Sequence, residues 1–259
     1  MATIQAAKCY GLHHLGAIAP GYQADFVVLD NLSDMNVLEV YHRGKKIIKD
    51  EKVEIRPCDP QLKNTVHLLG FRESDLCLPW REGKVHILKM LEGQIVTEDV
   101  QEEVGYTEEK GRKVFKPDGT YQKIAAVERH KNTGKIGVGI VKGFGLRGGA
   151  IASSVSHDSH NLIVIGDNDH DMYLAVQELL RTQGGYTLVE NGQVFDTLPL
   201  PIMGLMSDAG YEKVNEKLAR MIPKAHEMGI PEALTRLLLC HLWHFRSFRR
   251  SGSRQEVYI

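Results

Sequence analysis

Residues 151–180 read IASSVSHDSHNLIVIGDNDHDMYLAVQELL, and this stretch decides most of what the sequence predicts about the fold. Its first part is rich in serine and β-branched residues, so we predict that Ala150 to Val155 is extended. The apolar run Leu162 to Ile165 predicts a strand. A helix should follow, because apolar residues then recur on one face at helical spacing. These residues are Met172, Ala175, Val176, Leu179 and Leu180.

The segments around this stretch continue the mixture of strands and helices. We predict strands in Lys84 to Glu103, in Gln122 to Glu128 and in Ile136 to Val141, with a turn at Pro117-Asp118-Gly119. Asn191-Gly192 is a strong signal for a hairpin over Tyr186 to Leu198, and Asp208 is predicted to open a second amphipathic helix. The predicted fold class is therefore mixed α/β.

The first 80 residues have a different pattern. A short helix is predicted from Ala2 to Tyr10, ended by Gly11. Ala17 to Lys49 is typical of a small β-layer, with a strand over Asp25 to Asp30 and a turn at Arg43-Gly44. Residues 51–79 show little periodicity and are interpreted as a connection with a short strand at Val66 to Leu69. We place the boundary near Trp80.

Composition limits the class of protein and of partner. The 259 residues are 42% hydrophobic, and 32 basic residues nearly balance 33 acidic ones, so we expect neither nucleic acid nor an anionic membrane as a partner. Four scattered cysteines form no CxxC motif, which disfavours a disulfide scaffold and a structural zinc site. The N-terminus lacks signal-peptide features, and no apolar run reaches the roughly 20 residues of a membrane span. We expect a soluble protein of the cytoplasm.

A glycine motif offers one functional hypothesis. Gly143, Gly145 and Gly148 match the dinucleotide-binding fingerprint, and Asp167 follows at about the required distance. That function needs a helix starting near Gly148, whose N-terminus would hold the pyrophosphate. The serine-rich sequence after Gly148 shows no helical stripe. A dinucleotide-binding module is therefore kept only as an alternative.

The polar loop between the two predicted strands offers another hypothesis. Loops held by rigid strands often carry function. His157 and His160 can bind a metal or a purine edge, or else hydrogen-bond the loop backbone and hold its shape. Downstream, we expect Asp167-Asn168-Asp169 to cap the helix and His170 and Asp171 to face solvent. The candidate active-site residues are Ser156, His157, Asp158, Ser159, His160 and Asn161.

Several stretches together resemble the bacterial adenine deaminases of the amidohydrolase superfamily. GAIAPGYQADFVVLD resembles the segment that follows the metal-binding barrel in many amidohydrolases, where the chain returns to a β-sandwich. AVERHKNTGKIGVGIVKGFGLRGGAIASSVSHDSHNLIVIGDNDHDMYLAVQEL and GGYTLVENGQVFDTLPLPIMGLMSD resemble the C-terminal domain of adenine deaminases. The resemblance covers about Ala2 to Glu232.

This resemblance implies hydrolysis of adenine to hypoxanthine and ammonia, a step of purine salvage. A metal-activated hydroxide attacks C6 of the purine and acidic groups move protons to the leaving amine. The intact enzyme would use manganese or iron, bind adenine and form a homo-oligomer. The family's metal ligands include a His-x-His, which this sequence lacks, and its TIM barrel alone takes about 250 residues. We therefore expect the chain to lack the catalytic barrel and to be inactive alone.

The resemblance also divides the chain. Residues 1–55 would be the end of a barrel helix and a β-sandwich segment, 56–80 a connection, and 81–232 the C-terminal α/β domain. Residues 233–259 depart from the family, which continues with a stretch resembling DPFITLSFMALPVIP. A shifted reading frame can produce that stretch, so we interpret this tail as a frameshift product, with an amphipathic helix from Leu234 to Phe245 as the alternative. A further alternative is a non-catalytic subunit that assembles with a separate barrel polypeptide.

Overall fold

The computed structural model describes residues 3–47, 58–91, 96–156 and 159–232. The chain divides into two compact units, Met1–Pro57 and Cys58–Ile259. His157, Asp158 and the predicted tail from residue 233 lie outside the described residues.

The first unit consists of one short helix and a three-stranded antiparallel sheet, as the sequence predicts. The hairpin between its second and third strands turns at Arg43 and Gly44, whose φ angles of 50° and 75° are those of a tight two-residue turn. Phe26 and Tyr41 pair across the sheet with their rings stacked 4.6 Å apart. The elements are α1 (Ile4–Cys9), β1 (Phe26–Leu29), β2 (Val37–His42) and β3 (Lys45–Ile47), in the order β1-β2-β3.

This small sheet leaves much of its apolar surface exposed. Leu38 is 63% exposed and Val37 56%, and Val27 on the neighbouring strand is 52% exposed. In the described part of this unit, Ala7 is the one hydrophobic residue with less than a tenth of its surface exposed. The unit therefore has almost no core of its own.

The second unit is built on an eight-stranded sheet and an additional hairpin. All neighbouring strands are antiparallel except β4 and β9, and the strand order is β13-β12-β10-β11-β8-β9-β4-β5. The hairpin β6–β7 forms a separate two-stranded sheet. The strands are β4 (Val85–Met90), β5 (Thr97–Glu102), β6 (Tyr106–Glu109), β7 (Arg112–Phe115), β8 (Tyr121–Val127), β9 (Ile136–Lys142), β10 (Gly149–Ser153), β11 (Leu162–Gly166), β12 (Gly185–Glu190) and β13 (Gln193–Pro199).

A helix covers each face of this sheet. The central strand β11 alternates between the faces: Ile163 and Ile165 pack in one cluster, Leu162 and Val164 in the other. Helix α3 (Tyr211–Glu227) contributes Met221 and Ala225 to the first cluster. Helix α2 (Asp169–Thr182) covers the other face through Met172, Ala175, Val176 and Leu179. The described residues thus form a mixed α/β fold and contain no parallel eight-stranded barrel.

Most predicted elements of this unit are confirmed. Ile136–Lys142 and Leu162–Gly166 are strands, Gly149–Ser153 is extended, and the hairpin turns at Asn191-Gly192. Among the described residues, no helix combines the length and apolarity that a bilayer span requires.

The predicted strand at Val66 to Leu69 is wrong. The backbone N–H of Val66 donates to the Gln183 side chain at 3.0 Å rather than to a strand, and Val66 packs as a buried residue beside α2. Two short 3-10 helices, Pro60–Leu62 and Glu73–Leu76, flank it.

The second helix also begins later than Asp208 predicts. Its N-cap is Gly210, whose φ is 85°, and Asp208 instead forms an ion pair with Lys63 across the chain. The Asp208 carboxylate thus pairs with a lysine that is distant in sequence and does not cap helix α3.

Candidate active-site loop

The glycines of the 143–148 motif allow close backbone packing, and the dinucleotide-binding alternative is wrong. Residues after Gly148 form strand β10, so no helix N-terminus is present to hold a pyrophosphate. The Asp167 carboxylate accepts hydrogen bonds from the backbone N–H groups of Gly148 and Gly149, the second at 3.1 Å. Gly145, with φ of 78°, lies so close to Gly229 that an added Cβ would be 2.4 Å from its carbonyl oxygen.

The polar residues at the start of α2 make separate contacts with the helix backbone, the sheet and the 191–192 hairpin turn. Asn168 is the N-cap, and its side chain accepts from the Asp171 N–H at 2.8 Å. Asp169 pairs with the buried Lys123. Asp171, predicted to face solvent, is buried, because its carboxylate accepts the Gly192 N–H at 2.8 Å and so ties the helix to the hairpin turn. His170 is exposed as predicted and lies 3.1 Å from Glu73.

The described candidate residues, Ser156 and Ser159 to Asn161, lie between β10 and β11. Ser156 is 2% exposed, and its carbonyl oxygen accepts the His160 N–H. His160 has φ of 52°, in the left-handed region, where non-glycine residues are uncommon. The Asn161 N–H reaches the Ser159 hydroxyl at 3.4 Å. The structure thus brings Ser156, Ser159, His160 and Asn161 together, whereas His157 and Asp158 lie outside the described residues.

Two consecutive residues at the end of β8 hold this turn. The Arg129 Nε donates to the His160 carbonyl oxygen, and the His130 ring Nε2 lies 2.8 Å from the Ser159 carbonyl oxygen. The imidazole therefore acts as a donor at Nε2, since a carbonyl oxygen can only accept. Two adjacent carbonyls, of Ser159 and His160, thus accept hydrogen bonds from two adjacent side chains of the loop that follows β8.

Arg129 also joins two further segments to the turn. Its Nη1 donates to Thr65 O at 3.1 Å and to Thr65 Oγ1 at 3.3 Å, and its Nη2 donates to Met203 O at 3.0 Å. Gly204 packs against the guanidinium, where an added Cβ would lie 2.8 Å from Nη1. The side chain is only 1% exposed. Burial lowers the pKa of this guanidinium, which still remains charged because the ordinary value is far above neutral.

The Glu128 carboxylate stabilises the turn that contains Arg129 and His130. Burial acts to raise the pKa of its carboxyl, but hydrogen bonds outweigh that effect and lower the pKa to about 2. The carboxylate accepts the backbone N–H groups of His130, Lys131 and Thr133 at 2.6, 2.7 and 3.0 Å, and the Thr133 hydroxyl at 2.8 Å. The support of the candidate site is therefore itself rigid.

Sequence reasoning did not predict this support. The only signal is that Glu128, Arg129 and His130 follow directly on the buried strand Tyr121–Val127. A charged residue at such a position usually faces solvent, and nothing local shows that Arg129 is buried by Thr65 and Met203, which are distant in sequence.

The described residues do not fit a metal centre. Among them, no group of three or more His, Cys, Asp or Glu side chains is arranged to hold a metal ion. What the turn offers is hydrogen bonding from an imidazole, an amide and hydroxyls. The Asn161 Oδ1 is buried without a hydrogen-bond partner in the described structure.

Comparison with known proteins places these features in a family. Residues 94–244 match the model of the adenine deaminase C-terminal domain, and residues 1–47 match the amidohydrolase family. An adenine deaminase of Desulfitobacterium hafniense is 50% identical over 234 residues, which are 90% of this chain and 40% of that protein. An adenine deaminase of Nitratidesulfovibrio vulgaris is 42% identical over 88% of this chain and 40% of its own length. One of Petrotoga mobilis is 41% identical over 89% of this chain and 41% of its own length.

These relatives carry the same name, adenine deaminase, as the domain whose model matches. The matched range includes residues 156–161 and also Glu128, Arg129 and His130. The chain spans about 40% of the length of the relatives it matches. It belongs to the adenine deaminase C-terminal domain family, with an amidohydrolase segment at its start.

Proposed function

We propose that this chain supplies the C-terminal part of an adenine deaminase, which hydrolyses adenine to hypoxanthine and ammonia in purine salvage. The observation that carries the proposal is the pair of hydrogen bonds from Arg129 and His130 to the carbonyls of His160 and Ser159, in a polar stretch inside the domain that matches the family. A rigidly held cluster of hydrogen-bonding groups is what a site needs to orient a flat polar ligand. Adenine is such a ligand.

The turn acts on the purine or on its immediate surroundings. Asn161 Oδ1 has an unused acceptor, which suits an amine or ring N–H of a purine. His157 or His160 hydrogen-bonds the purine or orients the attacking water, and Asp158 fixes the tautomer of a neighbouring imidazole. The described residues offer no ligand set, so the metal, manganese or iron, would be held by residues of a barrel segment.

A chimera tests this proposal. In it, this chain replaces the matching segment of the Desulfitobacterium hafniense relative, and His157, Asp158, His160 and Asn161 are changed singly to alanine. We expect at least about a tenfold loss of turnover or of adenine affinity with the melting temperature kept, the usual scale for groups that orient an active site. The matched control is His170→Ala, an exposed histidine outside the turn. Unchanged kinetics with lowered stability would show the turn to be structural.

The chain alone should not deaminate adenine, even with manganese or iron added, because the ligands that generate the hydroxide are expected in the barrel segment. The measurement is ammonia release from adenine by the purified chain, with and without metal. Release far above that of a mock purification would contradict this assignment.

A second candidate function is assembly with a separate barrel polypeptide. The exposed apolar residues of the first unit favour it, because patches of that kind commonly mark an interface. Co-expression with the remaining segment of the Desulfitobacterium hafniense relative should give a complex by size-exclusion chromatography with light scattering. The same measurement on the chimera tests the homo-oligomer that we propose for the intact enzyme. Leu38→Asp should weaken the two-chain complex, and its failure to do so would remove this surface from the interface.

A further inference from the structure

Arg129 is a buried cation, and its hydrogen bonds within the described part of the chain go to uncharged oxygens. Its acceptors are the carbonyls of Thr65, His160 and Met203 and the Thr65 hydroxyl. Within the described residues, the guanidinium forms no ion pair with a carboxylate. Placing a charge in a protein interior without a counterion carries a desolvation cost of several kcal/mol, which a neutral side chain would avoid.

What the arginine provides is geometry. Its planar fork directs several donors along set directions, so it can hold carbonyls from separate segments at once, which an ammonium on a flexible stem does less well. The three segments are the connection near Thr65, the turn containing His160 and the loop containing Met203 and Gly204. Glycine at 204 leaves the space that the fork occupies.

The His160 carbonyl, which accepts a hydrogen bond from Arg129, belongs to a residue with unusual backbone geometry. His160 has φ of 52°, a conformation that a non-glycine residue keeps when the surroundings determine it. Charge-assisted hydrogen bonds are stronger than neutral ones, and Arg129 supplies one to the carbonyl of this residue. The orientation of the peptide between His160 and Asn161 is thus set by Arg129.

We propose that Arg129 is a positioning residue, which holds the backbone of residues 159–161 in its working conformation and links it to the Met203–Gly204 loop. Its effect on catalysis rests on the proposed function, whereas its effect on the turn does not. Removing the fork while keeping the charge should loosen the turn before it unfolds the domain. The Met203 loop should loosen with it, because both carbonyls lose the same donor.

The first experiment uses the 259-residue chain itself. Amide hydrogen exchange is compared between the wild type, Arg129→Lys and Arg181→Lys. Arg181 is the matched control, because it donates two hydrogen bonds to Glu178 but is 71% exposed on α2. We expect exchange in peptides covering residues 159–161 and 203–206 to rise at least tenfold in Arg129→Lys only, with the strand Val85–Met90 unchanged. Unchanged exchange in those peptides, or an equal rise throughout the domain, would overturn the proposal.

The second experiment uses the chimera described above. Arg129→Lys should lower kcat at least tenfold with a smaller change in KM, while Arg181→Lys leaves both parameters as they are. In Arg129→Ala, methylguanidinium should restore part of kcat and methylurea, its uncharged analogue, should not. A kcat per folded molecule equal to that of the parent chimera would overturn the positioning role. An inactive parent chimera would count against the proposed function alone, since the exchange experiment judges the turn without activity.

Discussion

The two sheets of this chain differ in where their apolar side chains go. In the eight-stranded sheet, central strands such as Leu162–Gly166 are buried on both faces by helices. In the three-stranded sheet, the strand Val37–His42 has no fully buried residue. Strands that bury no apolar surface gain little from folding to offset their lost conformational entropy. The second unit therefore makes its own core, whereas the strands of the first unit bury little apolar surface within that unit.

The difference extends beyond apolar residues. In the second unit, charged groups, glycines and helix caps make specific contacts with the backbone: Glu128 and Asn168 accept backbone N–H groups, and Gly145 lies against another segment of the chain. The first unit has a few such contacts, as at Asp25 and Gly16, but its residues Glu39, Gly21 and Thr3 lack comparable contacts with the backbone. Pairs of identical substitutions, one in each unit, measure this difference, provided that each unit is followed by hydrogen exchange of its own strand peptides as well as by urea unfolding.

The largest effect is expected for the pair Leu162→Ala and Leu38→Ala. Leu162 is fully buried against α2, so its truncation removes apolar contacts and leaves a cavity, which costs about 2–5 kcal/mol of unfolding free energy. Leu38 is exposed on a strand of the small sheet, and its truncation should cost less than about 0.5 kcal/mol. Equal costs would show that the first unit has a core that its solvent exposure does not indicate.

The next pair is Gly145→Ala and Gly21→Ala. Both glycines have positive φ, 78° and 85°, so each substitution should cost about 1 kcal/mol from backbone strain. At Gly145 the new methyl also meets the Gly229 carbonyl oxygen at 2.4 Å, whereas no atom of the described structure lies within 4 Å at Gly21. We expect a total of about 3 kcal/mol at Gly145. Similar costs at both positions would remove the packing role that we assign to this glycine of the motif.

The third pair tests pH dependence through Glu128→Gln and Glu39→Gln. Because the folded pKa of Glu128 lies near 2, below its ordinary 4.5, its stabilisation is fully present above pH 4.5 and is lost as the pH falls toward 2. Glu128→Gln should therefore cost about 2 kcal/mol at neutral pH, and the difference from wild type should shrink through that window.

The matched carboxylate of the first unit should behave differently. A hydrogen bond from Lys46 lowers the pKa of Glu39, but this ion pair lies at the surface, with a third of the Glu39 side chain and half of the Lys46 side chain exposed, so Glu39→Gln should leave stability and its pH dependence nearly unchanged. The measurement is urea unfolding at a series of pH values. A difference between Glu128→Gln and wild type that stays constant from pH 7 to pH 3 would contradict the assigned pKa.

Local signals predicted the parts of the fold that local physics determines. The Asn191-Gly192 turn, the apolar stripe of α2 and the apolar run from Leu162 each specify their element without distant partners. Val66 and Asp208 were misassigned because Gln183 and Lys63, both far away in sequence, decide their roles. The hairpin β6–β7 was missed, although Lys110-Gly111 forms its turn with both φ angles positive.

The candidate site shows the same limit. The turn between two strands was predicted from its polar residues and its place in the sequence, and the structure brings Ser156, Ser159, His160 and Asn161 together. Arg129 was missed because its role depends on three carbonyls that meet only in the folded chain. Whether the turn contacts a purine stays a prediction.

The smallest effect is expected for the helix caps, Asn168→Ala and Thr3→Ala. The Asn168 side chain accepts the Asp171 N–H at 2.8 Å, and losing such a cap costs about 1 kcal/mol. Thr3 precedes α1 without a capping side-chain hydrogen bond, so its replacement should cost less than about 0.5 kcal/mol. Asp208→Ala should also cost less than about 0.5 kcal/mol, because this residue forms an exposed ion pair and does not cap α3. The measurement is urea unfolding together with exchange of the first-turn amides of each helix. A cost near 1 kcal/mol at Thr3 would mean that the short helix is stabilised by its own capping, and the contrast between the two units would then hold for the sheets only.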